Sequence, residues 1–195
     1  FRTEEIITHV SFFISTIASF ICIVIFGHKD VRSHHFTYIF FLIMAINDFF
    51  YSAFAIIWRY LDLFCRPSPL MCGSGVQLFT LIYTIAFSFY LTTCMAIFTI
   101  LLEIFLTTQR LFLISNKKFL RDVTARKVVP IIAVISLLYD LPTQFDRIIV
   151  GDRTVFLPES NTTLVSYRFQ RTEFGDSETS ATISTVLAVF RIALV

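Results

Sequence analysis

Three long stretches almost free of charge decide what this chain can fold into. Residues Ile6 to His28 contain no Asp, Glu, Lys or Arg, residues Phe36 to Trp58 contain only Asp48, and residues Pro67 to Leu102 contain none. About 20 apolar residues suffice to cross the hydrocarbon core of a bilayer. A fourth stretch, Val128 to Phe145, is interrupted only by Asp140, and a fifth begins near Ser180 and runs to Val195. The composition agrees: charged residues are 15% of the chain and 24 residues are Phe, whereas soluble domains carry about a quarter charged residues. The chain therefore reads as an all-α membrane protein. The first stretch is too long for a signal-peptide core and has no basic run before it. A chain that opens on Phe1, with a fifth helix that stops partway, reads as a piece of a larger multispanning protein.

The expected spans are residues 6–27, 36–60, 75–113 and 123–142, with a fifth started at 180–195. The third is nearly 60 Å long at 1.5 Å per residue, about twice the ~30 Å core, so it must tilt and project from the membrane. Gly73 and Gly75 trim its outer end, and Pro142 helps to end the fourth. Lys and Arg gather in two loops. Lys29 and Arg32 lie between the first and second spans, and Arg110, Lys117, Lys118, Arg121, Arg126 and Lys127 lie between the third and fourth. Because cytoplasmic loops carry the Lys and Arg excess, the N-terminus and the loop 143–179 are expected outside. The sequon Asn161-Thr162-Thr163 falls in that outer loop and agrees. In the same loop "RTVFLP" and "LVSYRFQ" partly alternate apolar and polar residues around "ESNT", the pattern of a β-hairpin. Cys65 and Cys72 share the outer loop after the second span and are candidates for a local disulfide in an oxidising compartment. Cys22 and Cys94 fall inside spans and read as small core residues.

Ionisable groups within spans are costly and normally face the bundle interior or a water-filled cavity. Asp48 lies about 18 Å along the second span, with Asn47, Ser19 and Thr99 as polar candidates nearby. The plainer reading is an acid tolerated through a hydrogen bond to a backbone carbonyl. Glu103 and Arg110 are seven positions apart, on one helix face but about 10 Å apart along the axis, so each needs another partner. Glu103 reads as a polar bundle contact through Thr107, and Arg110 as a cytoplasmic-edge cation. No metal-spaced His and acid cluster, phosphate-binding loop or nucleophile arrangement points to an enzyme. The basic inner loops follow from topology and give no reason to invoke nucleic acid.

"TTQRLFLISNKKFL", "IMAINDFF" and "ASFICIVIF" together resemble the rhodopsin-like (family 1) G-protein-coupled receptors, and among them the divergent chemosensory or peptide receptors of invertebrates. Arg110 matches the motif arginine at the inner end of the third helix, Asp48 the acid of the second, and Ser19 stands where Asn is usual in the first. The resemblance implies a seven-helix receptor in the plasma membrane, of which this chain supplies helices one to four, the second extracellular loop and the start of helix five. It implies an extracellular ligand, a heterotrimeric G protein as partner, and no catalysis. Asp48 and Thr99, with Asn47, Ser19 and Glu103 in the same polar network, would admit a sodium ion; no other cofactor is expected. Thr92, Thr93 and Ala96 would face the ligand. Amine receptors carry Asp at the position of Thr92, so peptides or small odour-like molecules are the expected ligands. Gln109 replaces the motif's acid beside Arg110, the usual Trp of helix four is absent, and loop 143–179 has no Cys to bridge to the third helix. The alternative is a transporter or channel subunit in which Asp48 and Glu103 line an ion path. The first three spans have neither Gly nor Pro within their apolar cores to break them, which counts against it.

Overall fold

The computed structural model describes residues 3–29, 37–65, 73–114, 125–157 and 162–194. It is mostly helical: α1 (Thr3–Gly27), α2 (Thr37–Cys65), α3 (Gly73–Tyr83), a π-helical segment (Thr84–Leu91), α4 (Thr92–Ile114) and α5 (Ala125–Tyr139) lead to a 3-10 turn (Leu141–Asp146). Two antiparallel strands follow, β1 (Arg147–Leu157) and β2 (Thr162–Arg171), and then α6 (Glu178–Leu194). Four apolar helical stretches, Ile7–Gly27, Thr37–Leu61, Gly73–Phe112 and Ala125–Asp146, are long enough to cross a membrane. Only 6% of the first is buried, and Phe13 and Ile14 stand on it about 60% exposed. Such a surface is unfavourable in water and costs nothing among lipid tails. The chain is thus a multi-pass membrane protein, as the uncharged stretches predict.

Backbone groups in a bilayer must be satisfied within the segment, and the helices do that. Their hydroxyls follow the same rule. Ser11, Thr16, Thr80, Thr84, Ser136, Thr182 and Thr185 each donate to the carbonyl four residues back, so a Ser or Thr in a span needs no partner on another helix.

The chain forms two compact units. In the first, residues 1–53 with 93–138, the core is built by Phe40 of α2, Leu102 and Leu106 of α4, and Ala125, Val128 and Ile132 of α5. Phe40 and Leu102 are completely buried, and Phe40 packs its ring on Phe105 at 5.5 Å. Pro130 sits inside α5, where it removes one i→i−4 bond and bends the helix. The second unit, residues 54–92 with 139–195, carries the hairpin. Its strands pair in one register from Arg147↔Arg171 to Gly151↔Tyr167 and in the next from Arg153↔Ser166 to Leu157↔Thr162. Asp152 is the extra residue of the bulge, and it pairs with Arg168 at 3.1 Å.

Several boundaries differ from the sequence reading: α1 begins at Thr3 rather than 6, and α2 continues to Cys65 rather than ending near 60. The third span is not one regular helix over 75–113: residues Thr84–Leu91 are π-helical. Gly73, with φ +69°, opens α3 in a left-handed conformation that favours glycine. The fourth helix ends at Tyr139 rather than 142, because Thr143 turns both its N–H and its hydroxyl onto the Asp140 carbonyl, and Pro142 cannot donate to an α-helical ladder.

A tight corner joins the hairpin to α6. The Asp146 carbonyl accepts from Thr172 N–H at 3.0 Å, Gly175 N–H donates to Thr172 Oγ1, and Ser180 Oγ donates to Asp146 Oδ1. A Cβ on Gly175 would stand 2.3 Å from the Asp146 carbonyl oxygen, whereas one on Gly27 would meet nothing within 4 Å. Gly175→Ala is therefore expected to destabilise the protein by about 1–3 kcal/mol, as overpacking against a fixed group does, while Gly27→Ala leaves it unchanged or slightly more stable. Thermal unfolding of the two variants in detergent checks this; equal melting temperatures would remove the corner as a constraint.

Candidate functional site

An apolar span that carries an acid must supply it with hydrogen-bond partners. In the first unit α2 and α4 do so. Asn47 and Asp48 are adjacent on α2, while Met95 and Thr99, four residues apart, share one face of α4. Asn47 Nδ2 donates to the Met95 carbonyl and to Thr99 Oγ1, both at 2.9 Å. Thr99 Oγ1 then donates to Asp48 Oδ1 at 3.1 Å. The Thr99 hydroxyl thus accepts on one side and donates on the other, a short relay that ends on the carboxylate. Ser52, fully buried one turn beyond Asp48, donates to the Asp48 and Phe49 carbonyls at 2.8 and 3.1 Å.

The oxygens that meet here are those of the Asp48 carboxylate and the Thr99 hydroxyl, with the Asn47 carboxamide facing them through its N–H. Hard cations take oxygen ligands, and the Asp48 carboxylate and Thr99 hydroxyl are the residues here that would offer them to a monovalent ion. Among the described residues no group of three or more His, Cys, Asp or Glu could hold a metal, which sets this arrangement apart from a transition-metal site. Ser19 is buried on α1, but the relay itself runs through Asn47, Thr99 and Asp48.

Glu103 stands outside that relay, contrary to its expected place in the network. The inward face of α4 is marked by Leu102, Leu106 and Gln109, all buried and spaced by four and three residues. Glu103 follows Leu102 by one position and is rotated about 100° from it. Its side chain is exposed, as is that of Thr107. Arg110 follows Gln109 by the same single step and is exposed for the same reason. Its guanidinium lies 5.8 Å from the centre of the Phe41 ring, within cation–π range. Gln109 takes the buried place instead, with only 6% of its surface exposed.

Thr93 and Ala96 lie in the first turns of α4, Ala96 exposed and Thr93 half-buried. Thr92 opens α4, and its hydroxyl donates to the Ser88 carbonyl of the π-helical segment. Cys94 is buried and Cys22 half-buried. Cys72 and Asn161, and with them the expected Cys65–Cys72 bridge and glycan, lie outside the described residues.

Two features of the second unit have no counterpart in the sequence reading. The π-helical segment is flanked by an aromatic stack: Tyr83 and Phe87 are 4.8 Å apart and nearly parallel, and Phe87 meets Phe54 at 5.3 Å. The Tyr83 hydroxyl donates to the Phe54 carbonyl. The other feature is Gln77 of α3, whose carboxamide bonds twice to the backbone of Tyr167 in β2. A lone Gln in the apolar run "GVQLFTLIY" was the available signal for it.

No family model, curated protein or solved structure matches this chain.

Proposed function

We propose that the chain is part of a rhodopsin-like G-protein-coupled receptor, supplying its helices one to four, the second extracellular loop and the start of helix five, placed in the plasma membrane with its N-terminus outside. It binds an extracellular peptide or small chemosensory molecule and activates a heterotrimeric G protein. The observation that carries this reading is the Asn47–Thr99–Asp48 relay. An acid in the second span and a hydroxyl eleven residues before Arg110 are the pair that the receptor resemblance singles out, and they lie in hydrogen-bond contact. Arg110 at the inner end of the same helix, with the basic loop after it, supports the same assignment. In this reading ligand binding biases a resting-to-active equilibrium and no bond is made or broken. The direct test is nucleotide exchange on purified G proteins by the full-length receptor in nanodiscs.

A transporter or channel subunit is the second reading. Glu103, an acid exposed within the Gly73–Phe112 span, and the π-helical interruption of that span are the observations in its favour. Sodium or proton flux into liposomes, with no G-protein turnover, would decide for it.

The topology is tested independently. Asn161→Gln is expected to remove one glycan, seen as a faster-migrating band after expression in eukaryotic cells. Sequons engineered beside Lys117 are expected to stay unmodified, and a glycan there would invert the orientation.

A further inference from the structure

We propose that Gln77 is a reversible, non-covalent latch that positions the hairpin on the outer end of the third span, and that it does so without any cysteine bridge. Gln77 Nε2 donates to the Tyr167 carbonyl at 3.1 Å, and Tyr167 N–H donates to Gln77 Oε1 at 3.2 Å. A primary carboxamide presents one donor and one acceptor side by side, as a peptide group does. Gln77 therefore occupies the open edge of β2 the way a neighbouring strand would, over a single residue.

The rest of the hairpin is arranged around that residue. Tyr167 is the last partner before the register shift, facing Gly151, and the Asp152 bulge follows directly. A bulge bends and twists its strand, and here the bend is fixed by the Asp152–Arg168 ion pair one residue from the clamp. Arg147, at the other end of β1, sets its guanidinium over the Phe89 ring of the π-helical segment at 5.5 Å. Two directed hydrogen bonds and a cation–π contact thus join the described hairpin residues to the third span. All three can break and re-form, which a disulfide cannot do without a redox partner.

In the topology of the receptor reading the hairpin and its latch lie on the extracellular side. The specificity of Gln follows from its reach. Asn carries the same carboxamide on a stem one methylene shorter, and Met keeps the length of Gln but neither hydrogen-bonding group.

The test is residue-resolved amide hydrogen exchange on the full chain in nanodiscs, comparing wild type with Gln77→Met and Gln77→Asn. Either variant is expected to accelerate exchange of the Tyr167 amide on the order of tenfold, the loss of one to two net hydrogen bonds. Amides in the α4 and α5 core should not change. Unaltered Tyr167 exchange in whichever variant folds overturns the latch. So does an acceleration spread equally over α4 and α5, which marks general destabilisation. Nucleotide exchange on a G protein, measured on the same nanodiscs, separates the two claims. Faster Tyr167 exchange with no G-protein turnover from wild type removes the receptor reading and supports the latch; unaltered Tyr167 exchange removes the latch whatever the G protein does.

Discussion

Asp48→Asn is expected to make the protein indifferent to sodium. The carboxylate is the one formal charge in the relay; Thr99 contributes a neutral hydroxyl oxygen and Asn47 a carboxamide N–H donor. Asn at position 48 keeps the shape and can still accept from the Thr99 hydroxyl, so the helix contact survives while the attraction for a cation is lost. Wild type in sodium should melt higher than in an equal concentration of potassium, because a ligand held only by the folded state stabilises it by mass action, about 2.7 kcal/mol at a hundred times its Kd. If sodium favours the resting state, it should also weaken agonist binding by a factor of about 5 to 150, the usual range of coupling between two sites. Ligand-free nucleotide exchange on the G protein gives the same comparison without an agonist, and should fall as sodium rises. All three sodium effects should vanish in Asp48→Asn. An acid that is merely tolerated in the span predicts no sodium effect on wild type and a simple gain of stability in the variant. That result would sink the sodium site and leave the helix contact standing.

The parts of this arrangement that were legible in the sequence are those where the bilayer enforces a rule. An acid deep in an apolar span must find hydrogen-bond partners, and the polar side chains at its depth were few enough to be named: Asn47 and Thr99 were among them. The hairpin was legible because strand alternation has a period of two and "ESNT" interrupts it. The orientation of Glu103 is not legible from its depth in the span. Glu103 stands one turn from Thr99, but the buried face of α4 is set by Leu102, Leu106 and Gln109, and a single-residue step turns a side chain about 100° away. The π-helical segment has no Gly or Pro to announce it, and its residues, "TIAFSFYL", would serve equally in a regular helix. The Gln77 clamp was beyond reach for a different reason. A side chain that bonds to backbone 90 positions away leaves no local pattern, and any polar residue at the outer end of a span can be read as facing water.

The same single-residue step explains why removal of Arg110 should be informative. Because Arg110 is exposed and Gln109 holds the buried place, Arg110→Ala forfeits one cation–π contact with Phe41, worth about 0.5–1 kcal/mol at an exposed site. Folding, surface expression and ligand binding should therefore be nearly those of wild type. The loss should appear at the cytoplasmic face. In the receptor reading the guanidinium contacts the G protein once the helices open, and truncation of one partner of a desolvated, hydrogen-bonded charge pair costs about 2–5 kcal/mol. That corresponds to a fall in G-protein activation of roughly 30-fold or more. Gln109 is buried and turned about 100° from Arg110, so Gln109→Glu buries a new charge and is expected to lower the melting temperature in detergent. The decisive pair of measurements is surface expression and nucleotide exchange for Arg110→Ala. Normal expression with exchange reduced to background supports the switch. Expression and exchange lost together would make Arg110 a structural residue of the inner membrane edge, and the transporter reading, with Glu103 rather than Arg110 at its centre, would then have the stronger claim.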